Sequence, residues 1–330
     1  MALVNGKITI LMKFKILPIA GDASFRKFYR VIFDRKSKII VICQKEKYKN
    51  LIVYTAINKF LNQNKILAPK LYTFDYKNGV IAIEDFGDKS FYKVLLKTKN
   101  KFLIYKKIVD LLIKIQKIKV KQKIKTFKNK FYKLEKYTKK NLIKESDLFF
   151  DWYLSQFLSR KKISKIKKNT NKVLYKLYDR LNFSNSIFVH RDFHVQNLIK
   201  VDKKVGIIDS QDALIGNPAY DLVSLIDDVR IKTSKKLKQK IFNYYLKKTI
   251  KIHKANSKNF LEDFNILSVQ RSLKIIGIFS RLHIRDKKSQ YLKLIPYTWS
   301  ILEMRMRSKI FSELKIILKN NSLNRSKYFL

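Results

Sequence analysis

The chain has 330 residues, 46% hydrophobic and 13% aromatic, which is enough to fill two lobes and too apolar for a disordered tail. Its one cysteine, Cys43, excludes a disulfide framework and a cysteine-based metal site, and suits a reducing cytoplasm. Lys plus Arg number 74 against 25 Asp plus Glu, a net charge of +49. That excess would suit a polyanion such as nucleic acid or an anionic membrane surface. However, 61 of the basic residues are Lys, and Ile, Asn, Phe and Tyr are abundant while Gly is 7 and Pro is 4. This joint skew is that of AT-rich codons. Base-reading surfaces also favour Arg, so no specific nucleic-acid partner is expected.

The run Ile8–Met12 is short, with Lys13 and Lys15 close behind and no small-residue cleavage site, so no signal peptide is expected. No apolar run reaches the roughly 18 residues of a membrane-spanning helix, and no membrane partner is expected. Residues 14–20 read as a strand, Gly21–Ser24 as a turn, Phe25–Phe33 as a second strand and Lys38–Cys43 as a third. Helical periodicity covers residues near 47–64. Pro69–Asp75 and Val80–Asp85 form a hairpin across Lys77-Asn78-Gly79, the Asn-Gly signal of a tight turn. After residue 90 the spacing is mostly helical, except for two short strands around Asp202-Lys203-Lys204. Lys114–Lys140 holds twelve Lys and one Glu. Apolar residues interrupt it throughout, so it reads as solvated helix faces and a connecting loop.

The chemistry is concentrated in one stretch. His190-Arg191-Asp192-Phe193-His194-Val195-Gln196-Asn197 has the H-R-D-x-x-x-x-N spacing of a kinase catalytic loop, and Ile207-Ile208-Asp209 ends the next apolar run. Asp192 is the candidate catalytic base, placed to accept or orient the proton of an acceptor hydroxyl. Asn197 and Asp209 are the candidate Mg²⁺ ligands, because hard oxygen donors suit a hard cation that also takes phosphate oxygens. A lone Asp is more often a turn or helix-cap residue, but three such groups at these spacings point to phosphoryl transfer. His190 is read as structural support for the loop. Asp221 either caps the helix it opens or anchors the loop from below.

The pattern resembles the aminoglycoside phosphotransferase and choline kinase group. His194 and Gly216-Asn217-Pro218-Ala219-Tyr220-Asp221-Leu222 are closer to that group than to protein kinases. Within it, Ala20–Arg30, Ile83–Asp88, Leu148–Tyr153, Ile208–Ala213 and Ile276–Leu282 resemble one bacterial subfamily. That subfamily contains the anomeric kinases of N-acetylmuramate and N-acetylglucosamine, which act in cell-wall sugar recycling. The resemblance implies an α+β, protein-kinase-like fold of two lobes. The small antiparallel-sheet N-lobe would span 1–88 and the mostly helical C-lobe 89–330. It also implies an ATP- and Mg²⁺-dependent enzyme acting on a small molecule; a cytoplasmic monomer is expected. Gly21, Asp22, Ala23 and Ser24 would form the loop over the ATP phosphates, with Glu84 and Asp85 at the hinge, where backbone groups meet adenine.

Two departures from the pattern stand out. Family members often have Phe where this chain has Ser210, a change expected to loosen packing. The third strand has no Lys in the phosphate-binding register; Lys45 and Lys47 lie just beyond, and no Glu partner is evident on the following helix. On the acceptor side, Glu145 and Asp151 can hydrogen-bond sugar hydroxyls and Arg271 can meet an anionic group. Solvent-facing salt bridges are the alternative for Arg271, Arg281 and Arg285. The other functional readings are a kinase of a choline- or aminoglycoside-like metabolite and a non-catalytic nucleic-acid-binding protein.

Overall fold

The turn between Asp75 and Val80 shows how local sequence builds the N-terminal sheet. Gly79 has φ +70°, and a Cβ there would lie 2.3 Å from the Cys43 carbonyl oxygen. Only glycine fits, because the left-handed conformation and the close backbone approach both exclude a side chain. That approach carries a hydrogen bond from Cys43 N to Gly79 O at 2.8 Å. The computed structural model describes residues 3–4, 7–8, 14–19, 26–34, 36–44, 49–120, 122–249 and 256–323. The expected turn at Gly21–Ser24, and Lys45 and Lys47, lie outside these residues.

The N-terminal sheet comprises β1 (Phe14–Ile19), β2 (Lys27–Phe33), β3 (Lys36–Ile42), β4 (Leu71–Asp75) and β5 (Val80–Glu84). It is antiparallel throughout, in the order β1-β2-β3-β5-β4. Helix α1 (Lys49–Gln63) joins β3 to β4. Ile39, Val41 and Ile81 of the sheet pack with Leu51 and Tyr54 of α1, because alternate strand residues share a face and α1 presents an apolar stripe to it.

Next come α2 (Phe91–Lys97), capped by the Ser90 hydroxyl, and α3 (Lys101–Gln116). The basic stretch beyond α3 differs from expectation. It folds as an antiparallel hairpin of β6 (Lys123–Lys125) and β7 (Phe131–Lys133), not as helix faces and a loop. Ile124 is buried between two exposed lysines, and Phe127 at the turn meets Phe74 and Tyr76 edge-on.

The remaining elements are α4 (Lys139–Leu148), a π-helical turn at Phe149–Tyr153, α5 (Arg160–Asp179), β8 (Ile187–Val189), β9 (Leu198–Val201), β10 (Lys204–Ile207), β11 (Leu214–Gly216), α6 (Ala219–Ile226), α7 (Lys235–Thr249), α8 (Ser257–Asp286), α9 (Ile295–Arg305) and α10 (Ser312–Asn320). Strands β8 and β11 pair antiparallel, and β9 pairs with β10 in a second two-stranded sheet. The chain forms two compact units. One holds the described residues up to Lys89 with Lys123–Lys133 and Ile199–Gln211; the other holds Ser90–Gln122, Leu134–Leu198 and the described residues from Asp212 onward.

Helix α8 is the spine of the second unit. Most of its residues are buried, polar ones included, as in a helix enclosed on all sides. Gly277 lets it cross the end of α4 closely, since a Cβ there would fall 2.2 Å from the Leu148 carbonyl carbon. That crossing sets the polar residues one to two turns earlier on α8 beside α4.

Candidate active site

In the second unit, the loop from His190 to Asn197 follows β8. Its entry is held by one carboxylate. Asp221, in the first turn of α6, accepts the backbone N–H of His190 at 2.7 Å and that of Arg191 at 3.1 Å. Arg191 has φ +73°, a left-handed conformation costing about 1–3 kcal/mol for a non-glycine residue. Its carbonyl accepts from Arg271 Nη1 at 3.2 Å, so both sides of the strained peptide are pinned. His190 is fully buried, with its ring edge-on to Phe193. Further along, His194 N donates to Asp192 O at 2.9 Å and Asn197 Nδ2 donates to the same carbonyl at 3.1 Å.

This pinned backbone presents Asp192 with 38% of its side chain exposed. Burial of the carboxyl opposes its ionisation, but the positive charges of Lys274 and Arg271 prevail and hold it well below the usual carboxylate range. Arg271 Nη1 lies 3.9 Å from Asp192 Oδ1. Asp192 is therefore a carboxylate at neutral pH, able to accept a hydrogen bond from an alcohol. His194 is neutral: burial, helped by the nearby Arg230, lowers it to about 3.

Beside the loop is a buried polar cluster centred on Glu145 of α4. Its oxygens accept from Arg191, from Tyr137, from Lys274 Nζ at 3.0 Å and from Gln270 Nε2 at 3.2 Å. The Tyr137 hydroxyl also lies 2.9 Å from Tyr220 Oη, from which it can accept. Burial alone would raise the Glu145 carboxyl, but Lys274, Arg191 and the Tyr137 hydroxyl bring it down to about 2. Glu145 was expected to meet a sugar hydroxyl; its oxygens are instead engaged by these four protein donors. Asp151 is exposed and pairs with Lys167 at 2.8 Å. Arg271 is buried at the loop rather than solvent-facing, whereas Arg285 pairs with Asp286 on the surface.

The Gly216–Leu222 segment is explained by the same framework. Gly216 packs against Val189, where a Cβ would come within 2.9 Å of the valine side chain. Asn217 caps α6 by accepting from Ala219 N at 2.9 Å and donates to the buried Asp263 of α8 at 2.6 Å. Tyr220 enters the Glu145 cluster and Asp221 holds the loop.

In the first unit, Asp209 follows β10 with φ +65° and 39% of its side chain exposed. Arg26 Nη2 lies 2.6 Å from Asp209 Oδ1, and Arg26 Nη1 donates to Gln211 Oε1 at 3.1 Å. Ser210 is fully buried, and its hydroxyl donates to Asn58 Oδ1 of α1 at 2.6 Å. The residue expected to loosen packing is thus tied to α1 by a hydrogen bond. Glu84, at the end of β5, accepts the Lys70 N–H at 3.2 Å. Asp85 is held by Arg30 at 2.5 and 2.9 Å and accepts the Gly87 N–H at 2.8 Å. Gly21, Asp22, Ala23 and Ser24 lie outside the described residues.

In the first unit, Asp209 is a hard oxygen donor of the kind that Mg²⁺ takes together with nucleotide phosphates. Asp209 already holds a cation, the Arg26 guanidinium, on one oxygen. In the second unit, Asn197 uses its amide nitrogen on the loop. Among the described residues no group of three or more His, Cys, Asp or Glu could hold a metal alone. Mg²⁺ needs no such cage, since one or two protein oxygens suffice when phosphates complete the shell.

Sequence reasoning did not assign Arg26, Asn58, Lys274 or Asn217. Signals existed for three of them: Arg26 lies within the Ala20–Arg30 motif, Asn217 within Gly216–Leu222, and Lys274 is one turn from Arg271 on the same helix face.

The antiparallel five-stranded sheet, the helical second unit and the pinned loop define a protein-kinase-like phosphotransferase fold. The chain belongs to the phosphotransferase enzyme family, whose model matches residues 15–255. It is 28% identical over 285 residues to an N-acetylmuramate/N-acetylglucosamine kinase of Neisseria meningitidis serogroup B, covering 84% of this chain and 81% of that one. A Pseudomonas aeruginosa protein of the same name is 27% identical, over 88% and 83%. Among solved structures, the ADP-bound aminoglycoside phosphotransferase APH(2'')-Ib superposes with a TM-score of 0.60 at 14% identity, over 90% of this chain and 95% of that one. A choline/ethanolamine kinase family protein from Mesorhizobium loti gives 0.60 at 12% identity, over 93% and 92%. These two likenesses show the shared fold. Among the described residues no helix is long and apolar enough to cross a membrane.

Proposed function

We propose that this enzyme transfers phosphate from ATP to the anomeric hydroxyl of N-acetylmuramate or N-acetylglucosamine, giving a sugar 1-phosphate. Support for the acceptor comes from four relatives bearing one activity name, at 25–28% identity over 79–88% of this chain. The observation that carries the chemistry is the ionised, partly exposed Asp192 on a backbone pinned by Asp221 and Arg271. In the proposed reaction Asp192 accepts the proton of the attacking hydroxyl. An anomeric hydroxyl is more acidic than an ordinary sugar alcohol, so a carboxylate base suffices. Asp209 and Asn197 are assigned to Mg²⁺, which when bound neutralises charge on the phosphates. Glu145 serves by balancing Arg191 and Lys274 rather than by touching sugar. Asp151 remains a candidate for sugar hydroxyls, and the hinge role is assigned to the backbone at Glu84 and Asp85, because the Asp85 side chain is committed to Arg30.

A choline- or aminoglycoside-type acceptor fits less well. Such acceptors are cations, and Asp192 already lies among Arg191, Arg271 and Lys274. A further cation would meet repulsion there, whereas a neutral or anionic sugar would not. The test is phosphorus NMR of the product with a reducing-end assay. A 1-phosphate has no free reducing end and a 6-phosphate keeps one. A 6-phosphate, or turnover of choline or an aminoglycoside with neither amino sugar used, would overturn the proposal.

A further inference from the structure

The third strand lacks the cation that a kinase of this fold normally aims at the nucleotide phosphates. Its buried positions, Ile39 and Val41, and Cys43 just beyond, are apolar, and Lys38 lies over the Tyr72 ring instead. A different cation is buried in the same unit. Arg26 immediately precedes β2, with 4% of its side chain exposed and its guanidinium 5.4 Å from the Phe28 ring centroid and 5.6 Å from that of Tyr54. It reaches Asp209 at 2.6 Å and Gln211 at 3.1 Å, while Ser210 between them is tied to Asn58. Tyr54 stays protonated, since burial raises its hydroxyl to about 12. A buried charge is retained at high cost unless it is paired or used. The pairing here is to the residue assigned to the metal, at a left-handed backbone position that needs holding.

We propose that Arg26 supplies the cation of the nucleotide-phosphate site, holding Asp209 in place and binding phosphate oxygens of the nucleotide. It does from the entry of β2 what a lysine on β3 does in protein kinases. Asn58 and Ser210 replace the usual acidic helix partner in fixing the loop to α1. A guanidinium has five N–H donors in a planar fork, so it can serve a carboxylate, an amide and a phosphate together, which an ammonium cannot do with the same geometry. The assignment rests on the kinase class and not on the acceptor.

The experiment is calorimetry without any sugar, using ADP with Mg²⁺, ADP with EDTA, and adenosine. Arg26→Met keeps length and packing between the two rings while removing the charge. It is expected to weaken ADP about tenfold or more with and without Mg²⁺, and to change adenosine less than twofold. Arg26→Lys should fall between it and wild type for ADP. Equal weakening of ADP and adenosine, or unchanged ADP affinity, would overturn the assignment. Should Arg26→Met fail to give a cooperative melt, the ADP-to-adenosine comparison in Arg26→Lys decides on the same terms. Wild-type protein that binds no adenine nucleotide would sink the kinase reading itself, and this assignment with it.

Discussion

The Asp221 carboxylate accepts the backbone N–H of His190 at 2.7 Å across 31 residues of sequence. With the Arg191 N–H on its other oxygen, it fixes the start of the candidate catalytic loop two residues before Asp192. Asp221→Ala is predicted to remove both bonds and leave two buried donors unsatisfied, at a cost of about 1–3 kcal/mol each. The loss should appear in kcat rather than KM, because the residue acts through the position of Asp192. Thermal denaturation and steady-state kinetics check this. Reduced stability with unchanged kcat would show that Asp221 supports the fold without setting the base.

Asp192→Asn removes the proton acceptor but little volume. The variant is expected to melt within a few degrees of wild type and to lose turnover by about 10²–10⁴-fold, the range of general-base contributions. Binding of Mg²⁺-ADP should persist. Turnover within a few-fold of wild type would take Asp192 out of the base role.

Asp209→Ala is predicted to weaken Mg²⁺-ATP binding strongly, with Asn197→Ala following in milder form, because the first removes a charged oxygen donor and the second a neutral one. Calorimetry across a Mg²⁺ titration measures both. Unchanged affinity in both variants would place the metal elsewhere.

The His190–Asn197 loop and the 69–85 hairpin were legible because each is written in contiguous residues: an H-R-D-x-x-x-x-N spacing, and Asn78-Gly79 between apolar runs. The Lys123–Lys133 hairpin was not. Its strands are three residues long and each buries at most one side chain, so the alternation that announces a strand never accumulates. The Glu145 cluster was hidden for another reason. Its partners lie 8, 46, 125 and 129 residues away, and a carboxylate surrounded by buried cations has no local pattern distinguishing it from a ligand for sugar hydroxyls. The same holds for Arg26, which meets Asp209 across 183 residues.

The Glu145 cluster has a pH consequence. A carboxyl brought down to about 2 from its ordinary 4.5 is ionised in the fold more readily than in the unfolded chain. Its contribution is therefore fully present above about pH 4.5 and is lost as pH falls towards 2. The groups facing it are Arg191, Lys274, Tyr137 and Gln270, with Tyr220 beyond; none of the cations gives up its charge in that window. Glu145→Gln should cost about 3–5 kcal/mol at neutral pH, since it leaves Arg191 and Lys274 buried without their anion. The gap from wild type should narrow between pH 4.5 and 2. Urea denaturation of both proteins over that range measures it, and a gap independent of pH would contradict the charge assignment.

Arg271 offers a way to separate the two proposed acceptors. N-acetylmuramate carries a carboxylate that N-acetylglucosamine lacks, and Arg271 is a buried cation 3.9 Å from Asp192. Its bond to the Arg191 carbonyl orders the loop for either sugar, so Arg271→Met is predicted to lower kcat for both. The informative quantity is the ratio of kcat/KM between the sugars. A charge-assisted contact to the carboxylate would be lost for one acceptor only, shifting the ratio against N-acetylmuramate by about tenfold, or about 1.4 kcal/mol. Steady-state kinetics with each sugar at saturating ATP gives the ratio directly. An unchanged ratio with lowered kcat for both would confine Arg271 to holding the loop and move recognition of the carboxylate to another cation.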